Sequence, residues 1–387
     1  MSVSLCSTDS SSTKRKLSVK AQAKQSKCII DDDGNVKPFS EIKTSTCTVI
    51  VITNCKVDLA SMFELCPITD YTPIIKRRGR KKRNNFEKPT TKLPFGSVIR
   101  VQHELKVRGA EIKKDEDKKI DPEQPRDPKA NKKAYFLHCV TMVVVVDEAE
   151  EKTKNVKIYS NGKLQITGCK NQEQAINTVK AVFNVFDTIQ RHTGQSVVEM
   201  ESNNYKAVFN IVMQNMDFFM GFNIFRNRLD QFINKIKDFE IKSIFENSMN
   251  TCVNIKIPIE SKDEKLMCIE YDRNSSNYTT SYVNRDDYKK HINKKNSKKE
   301  DEHTFLVFAS GHVIFTSSPG PNMEQTFYKI INMLVKNREH FEIDTQRSKE
   351  DQREFDYVKQ DQSDCEFDED SDDSTSSKRM KMSSDSE

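Results

Sequence analysis

The chain has 387 residues, of which 35% are hydrophobic and 31% charged, with a net charge of +5. This length allows two domains, and the high polarity predicts that part of the chain is unfolded. The ten cysteines are scattered without a C-x-x-C pair, which argues against a zinc ribbon or redox pair and favours reduced, intracellular thiols. No stretch approaches about eighteen uncharged apolar residues and the N-terminus lacks a signal-peptide core, so we expect a soluble protein.

The first part of the chain contains a tail and one folded unit. Residues 1–43 are rich in Ser, Lys and Asp and lack periodicity, so we expect a disordered tail. The first folded unit is expected over 44–195. It contains a β-branched strand over 46–52, a helix over 57–65, a long strand over 136–146, and an insertion of about 76–133 that starts with the basic block 76–83.

The most informative stretch, Tyr159-Ser-Asn-Gly-Lys-Leu-Gln-Ile-Thr167, returns later as Phe308-Ala-Ser-Gly-His-Val-Ile-Phe-Thr316. The aromatic residue, the glycine at the fourth place and the threonine at the ninth keep register. The glycines at 162 and 311 supply the positive φ that a two-residue hairpin turn requires.

Each copy then runs into apolar residues at helical spacing, which predicts a helix ending near His192 after the first copy and near His340 after the second. The residues expected on the buried faces are Ile176, Val179, Phe183 and Phe186, then Phe327, Ile330, Ile331 and Leu334. A strand-turn-strand-helix unit used twice predicts a pseudo-symmetric domain built from two similar halves.

The second folded unit is expected over 204–342. It contains a strand over 207–216, helical spacing over 218–239, and a strand over 251–259. Within it, residues of about 260–302 are polar and form an expected second insertion, and the acidic, Ser- and Asp-rich residues 343–387 form an expected disordered tail.

Four local motifs accompany this organisation: Cys55-Lys-Val-Asp-Leu59, Ser160-Asn-Gly-Lys163 with Thr167-Gly168, Phe308-Ala-Ser-Gly311 with Thr316, and Gln214-Asn215-Met216. Together with the order of elements, they resemble the TATA-box-binding protein (TBP) family over roughly residues 44–342, apart from the insertions. The resemblance implies an α+β fold in which two pseudo-symmetric repeats form a curved antiparallel sheet, a saddle, with helices on the convex face. Its concave face is then expected to bind the minor groove of DNA.

The resemblance places aromatic wedges near the hairpin turns. Phe308 and Tyr159 occupy the position of one wedge in each half, with Tyr in place of the family's Phe, and Phe136 is a candidate for the second wedge of the first half. The counterpart in the second half lies near Phe245 or Met249. Core packing is the alternative for each of these side chains.

The resemblance also suggests contacts with the groove floor. Because side chains alternate along a strand, only one of each adjacent set can face DNA. Asn54 and Asn215 are candidates for a central pair of asparagines, Asn54 only with a small deletion, and a turn or strand-end Asn is the alternative for both. The remaining candidates are Thr167, Thr316, Leu164, Ile166, Val313 and Phe315.

The resemblance implies a TBP-like transcription initiation factor that binds A·T-rich double-stranded promoter DNA in the minor groove and bends it. The expected partners are general transcription factors of the TFIIB type and RNA polymerase, and no catalysis, metal or cofactor is implied. The Asn, Lys and Ile richness favours a fast-diverging lineage such as a large DNA virus, so we expect a nuclear or viral transcription compartment.

Two alternatives remain. The helix over 171–192 carries only Lys180 and Arg191 as cations, whereas its counterpart in the family is strongly basic and contacts other proteins. This difference favours a saddle-fold protein-interaction scaffold without sequence-specific DNA binding. A substrate-binding module of a nucleic-acid enzyme is the third possibility, although the sequence contains no phosphate-cradling glycine loop or nucleophile motif.

Overall fold

In a computed structural model, the chain folds around one large antiparallel sheet. The structure describes residues 27–31, 34–70, 93–109, 138–147, 152–200, 202–236, 241–246, 251–260, 263–275, 277–288 and 301–343. The basic block at 76–83, Phe136, Met249 and the acidic tail after residue 343 lie outside these ranges.

The described residues form an α+β fold, since helices accompany a 13-stranded antiparallel sheet and a separate two-stranded sheet of β2 and β8. The strands are β1 (Thr44–Thr53), β2 (Cys55–Val57), β3 (Val98–His103), β4 (Lys106–Gly109), β5 (Cys139–Asp147), β6 (Lys152–Tyr159), β7 (Leu164–Cys169), β8 (Val198–Met200), β9 (Tyr205–Phe219), β10 (Lys242–Ile244), β11 (Cys252–Pro258), β12 (Lys265–Tyr271), β13 (Tyr278–Asn284), β14 (Glu302–Phe308) and β15 (His312–Ser317). The helices are α1 (Leu59–Leu65), α2 (Gln172–Thr193), α3 (Arg226–Lys235) and α4 (Met323–Lys336). Each helix in the described ranges is too short or too polar to cross a bilayer.

The sheet is centred on the antiparallel pair β1–β9. Outward from β1 the order is β7, β6, β5, β3 and β4, and outward from β9 it is β15, β14, β11 and β10. On both sides, the first neighbour is the second strand of the repeated hairpin and the next is its first strand. The first four strands outward from the central pair therefore follow the same succession on each side, and β4 extends the first side by one strand.

Each repeated hairpin turns through three residues rather than the expected two. The amide of Tyr159 donates to the carbonyl of Lys163 at 3.0 Å, and the amide of Gly162 donates back to Tyr159 at 2.9 Å. Gly162 has φ of 75° and Gly311 has φ of 76°, the left-handed conformation that a three-residue hairpin loop places on its last residue.

The two glycines also lie against backbone. A Cβ added at Gly162 would come 1.9 Å from the carbonyl oxygen of Cys55, and one added at Gly311 would come 2.1 Å from that of Phe222. Both distances are far below van der Waals contact, so neither position has room for a side chain. This close approach explains why glycine holds the fourth place in both copies of the motif.

The two long helices confirm the predicted apolar faces. All eight side chains expected on those faces are buried: Ile176, Val179, Phe183 and Phe186 in α2, and Phe327, Ile330, Ile331 and Leu334 in α4. Helix α2 begins where the Asn171 side chain accepts the amide of Gln174, and it ends at Gly194, whose φ is 72°.

Two helix predictions are corrected. The helix predicted over 57–65 begins only at Leu59, because residues 55–57 form β2 and Asp58 caps the helix by accepting the amides of Ala60 and Ser61. The helix predicted over 218–239 is shortened to α3, because β9 continues through Phe219 and the chain then bends at Gly221, whose φ is 86°.

The tail expected to be disordered over 1–43 is ordered from residue 27 onward in the described ranges. Ile29 is 2% exposed, and its amide donates to the carbonyl of Phe219 at 2.8 Å. Further along, the Phe39 ring lies 5.0 Å from that of Phe327, and the Phe39 amide donates to the Tyr328 hydroxyl at 2.7 Å. Ile29 and Phe39, both within the expected tail, therefore belong to the core beneath α4.

Parts of both expected insertions also join the sheet. Strands β3 and β4 extend it beyond β5, and β12 pairs with the first half of β9 while β13 pairs with β12. The β12–β13 hairpin lies along α2. The Tyr271 hydroxyl donates to Asn184 Oδ1 at 2.9 Å, and Arg273 Nη2 donates to Asp187 Oδ1 at 2.6 Å.

Candidate nucleic-acid interface

In the described part of the chain, the four α-helices cover one face of the sheet, and no α-helix lies on the other. On the covered face, alternate side chains of the strands enter two buried clusters with α2 and α4. The intervening side chains point the other way because successive residues of a strand alternate. We call this second set the open face, and its half-buried members include Thr48, Ile50, Gln165, Thr167, Asn155, Lys157, Tyr159, Asn215, Asp217, Phe219, His312, Ile314, Thr316, Thr304, Leu306 and Phe308.

Four predicted contact residues lie on the wrong side of the sheet. Leu164 is 1% exposed, and the other three are fully buried: Ile166, Val313 and Phe315. Since they pack between the sheet and the helices, they cannot touch a ligand on the open face, and this expectation is corrected. Alternation places Gln165 and Ile314 on the open face in their stead.

The two aromatic residues before the turns both lie on the open face. The Phe308 ring is stacked on His312 with centroids 5.4 Å apart and planes 23° apart. The Tyr159 hydroxyl donates to Gln165 Oε1 at 3.3 Å, so it is paired within the protein. Burial raises the pKa of Tyr159, which keeps the phenol neutral.

Asn215 and Thr316 meet next to the central strand pair. They are cross-strand neighbours in β9 and β15, and the Thr316 hydroxyl donates to Asn215 Oδ1 at 2.9 Å. Among the described residues, the Asn215 amide NH₂ has no acceptor, so it presents two donors. Thr304 continues this polar row onto β14.

Thr167 occupies the matching row of the first half. It lies between Thr48 on β1 and Asn155 on β6. Each half therefore has an amide and two hydroxyl side chains in one cross-strand row that starts at the central pair. The sequence motif identified the threonines, whereas the register was needed to find Asn155, Thr48 and Thr304.

Asn54 does not belong to the open face. It lies in the turn between β1 and β2, where its Oδ1 accepts the amide of Lys206 at 2.8 Å and its Nδ2 donates to Ser202 and Asn204 at 2.9 Å each. Asn54 is therefore a turn asparagine, and the prediction that it forms a central pair of DNA-contacting asparagines with Asn215 is wrong.

A ring cluster at the end of the second half was missed from the sequence. His312 lies between Phe308 and Phe219, with the Phe219 centroid 5.0 Å away. Phe219 had been assigned to a helix, so only the continuation of β9 reveals it. Phe245 was one of the two candidates for the second wedge of this half. It packs near α3 instead, with the Arg226 guanidinium 5.3 Å from its ring centroid.

The cations of the open face among its described residues include Arg100, Lys206 and Lys242 as well as Lys157 and Lys256. Lys157 is half-buried, and burial lowers its pKa. Lys256 Nζ lies 3.1 Å from Glu302 Oε2, so this pair is internally neutralised. No cluster of three His, Cys, Asp or Glu side chains in the described ranges has the arrangement of metal ligands. The face therefore combines rings, amides and hydroxyls with a few scattered cations.

Comparison with known proteins adds little. No protein-family model and no curated protein matches the sequence. Among solved structures, the chain is similar to TBP of Methanococcus jannaschii, with 13% sequence identity over 76% of this chain and 98% of that chain, at a TM-score of 0.35. A similarity at this identity and TM-score shows no shared activity.

Proposed function

We propose that this chain is a TBP-like transcription initiation factor that binds A·T-rich promoter DNA in the minor groove and bends it. The observation that supports this best is the matching strand order on both sides of the β1–β9 pair. Two pseudo-symmetric repeats would give that order, and a curved, saddle-shaped sheet would let the open face follow a bent duplex.

The polar rows of the open face have the chemistry that a minor groove floor requires. At A·T pairs the floor presents the acceptors adenine N3 and thymine O2, whereas a G·C pair adds a donor. The Asn215 amide supplies donors, and Thr316 holds it by occupying its oxygen. A guanine amino group would meet this donor with another donor, so the arrangement favours A·T.

The rings at the hairpin turns are suited to act as wedges. An apolar ring inserted at a base step unstacks it and kinks the duplex, and the cost is recovered through additional contact with the protein. Phe308, supported by His312, is the wedge of the second half, and Tyr159 is that of the first. The bend is carried over from the family that the sequence resembles.

The number of cations on the open face sets an upper limit on its salt dependence. Each phosphate contacted by Lys or Arg contributes about 0.9 to the slope of log K against log salt concentration. The described open face offers Arg100, Lys157, Lys206, Lys242 and the ion-paired Lys256, so the sheet itself would add a slope of about 4.5 or less. A steeper slope would assign phosphate contacts to residues outside the face.

The proposed partners are transcription factors of the TFIIB type and RNA polymerase, in a nucleus or a viral transcription compartment. One observation favours the scaffold function instead. The β12–β13 hairpin lies along α2, and Lys180, one of the helix's two cations, sits 4.1 Å over the Tyr278 ring. The surface that the family is expected to offer to partners is therefore altered here.

Replacing Phe308 by Ala separates the two functions. The ring is half-buried on the open face, so we expect the fold to survive, DNA affinity to fall on the order of 10-fold, and bending to be lost. Val107→Ala, at an exposed side chain on edge strand β4, is the control and should leave both unchanged. Unaltered bending by the Phe308 variant would contradict the wedge assignment.

A further inference from the structure

Strand β13 is an unusual edge. Among the described strands it pairs only with β12, so its outer row of amide and carbonyl groups has no strand beside it. Its side chains are exposed along most of its length, and Tyr282 is 67% exposed and Tyr278 39%. Tyr278, Thr280 and Tyr282 point to the same side of the strand because they alternate.

The other described ends of this sheet carry features that discourage pairing. Strand β4 is four residues long and contains Lys106 and Arg108, and β10 is three residues long and contains Lys242. Short length and charge are the means by which proteins keep edges apart. Strand β13 has seven residues with no charge, proline or glycine. It therefore has the composition of a strand that accepts a neighbour.

The sequence of β13 suggests which neighbour. Residues 278–282 are Tyr-Thr-Thr-Ser-Tyr, which is nearly its own reverse. Two antiparallel copies centred on Thr280 would place Tyr278 opposite Tyr282 of the second copy, twice, and Thr280 opposite itself. Aromatic pairs and hydroxyl pairs stabilise adjacent strands, and no like charges would face each other. A two-fold axis through Thr280 satisfies the self-complementarity of an isologous interface.

The edge is also held in place before any pairing. Arg273, in the β12–β13 turn, donates to Asp187 and to Gln190 of α2 at 2.6 and 2.8 Å. Lys180 of the same helix lies over the Tyr278 ring. Because the turn before β13 and the Tyr278 ring are both held against α2, the strand loses little conformational freedom on association.

We propose that the chain forms a homodimer in which β13 pairs antiparallel with β13 of a second copy, centred on Thr280. This extends the sheet across the two-fold axis and leaves the open face of each copy uncovered. The inference is independent of DNA binding, because none of the residues assigned to that function lies on β13.

Substitutions that introduce a positive or a negative charge at Thr280 test the interface and its register. The mass of the full-length chain would be followed by sedimentation over about a 100-fold range of concentration. Thr280→Lys and Thr280→Glu should each weaken self-association by about 10-fold or more, because each puts like charges opposite one another. An equimolar mixture of the two variants should recover a dimer, since the introduced lysine of one copy then faces the introduced glutamate of the other. Val107→Lys adds the same charge to edge strand β4 and should leave the dimer intact.

The outcomes decide the proposal. A wild-type chain that stays monomeric throughout overturns it. A dimer unaffected by either substitution assigns the contact to another surface and also overturns it. A mixture that fails to associate, while each variant keeps the wild-type circular dichroism spectrum, refutes the register centred on Thr280. DNA affinity measured on the same variants should be unchanged, which separates failure here from failure of the proposed function.

Discussion

Gly311→Ala probes the repeated turn on which the open face depends. The added Cβ would come 2.1 Å from the Phe222 carbonyl oxygen, and the backbone would still have to hold φ at 76°. Left-handed backbone costs a residue with a Cβ about 1 kcal/mol. Relieving the contact requires the turn to move away from Phe222, which strains the hydrogen bond from the Met220 amide to the Gly311 carbonyl, now 2.8 Å long. Its loss adds about 1 to 2 kcal/mol, so we expect a total of about 2 to 3 kcal/mol.

Gly194→Ala is the matched control. Gly194 also has positive φ, 72°, but no atom lies within 4 Å of the position of its added Cβ. That substitution should cost only the backbone strain of about 1 kcal/mol, reduced by the lower entropy of the unfolded chain.

The assay is urea unfolding followed by circular dichroism on wild type and both variants. We expect the free energy of unfolding to fall about 1 to 2 kcal/mol further in Gly311→Ala than in Gly194→Ala. Equal losses would show that the close approach to Phe222 contributes nothing, and the explanation for glycine at the fourth place of both motifs would be refuted.

Three further substitutions test other parts of the account. Arg273→Ala should lower the free energy of unfolding by about 2 kcal/mol. It would leave the Asp187 carboxylate, whose side chain is 18% exposed, with only the Tyr205 hydroxyl among its described partners. A double-mutant cycle with Tyr205→Phe measures how strongly Arg273 and Tyr205 are coupled through this carboxylate. Burial lowers the pKa of His303 in the folded state, so the unfolded chain takes up its proton first, and stability should fall as pH drops below about 6.5 towards that lowered pKa. His303→Gln should flatten this decline in urea titrations at each pH, and an unchanged slope would contradict the assignment. Asn215→Ala should weaken binding to A·T-rich DNA more than to G·C-rich DNA, and equal losses in a competition assay would argue against a role in discrimination.

The sequence predicted the features that local chemistry determines. Glycine at 162 and 311 marked both turns, and the apolar spacing from Ile176 to Phe186 and from Phe327 to Leu334 identified both helices and their buried faces. These predictions succeeded because a positive φ and a 3.6-residue period leave direct marks on residue type.

The sequence did not reveal what distant packing determines. Leu164 and Ile166 were placed among the contact residues because the covered face can be told only from where α2 lies. Phe218 and Phe219 have helical spacing with the residues that follow, yet they extend β9, where Phe218 meets the Phe327 ring at 5.6 Å. The β12–β13 region was predicted as a polar insertion because β13 and the turn are exposed, whereas β12 pairs with β9 and buries Met267, Ile269 and Tyr271 in the core.

The central claim is that the open face binds and bends A·T-rich DNA. The most direct test is a titration of the full-length chain against two duplexes, each carrying a donor–acceptor pair of fluorophores at its ends, at one stated salt concentration. One duplex contains a TATA-like element and the other is G·C-rich. We predict tighter binding to the first, with its ends drawn together. Equal, salt-sensitive binding without a change in end-to-end distance would contradict the claim, and no binding to either duplex would favour the scaffold function.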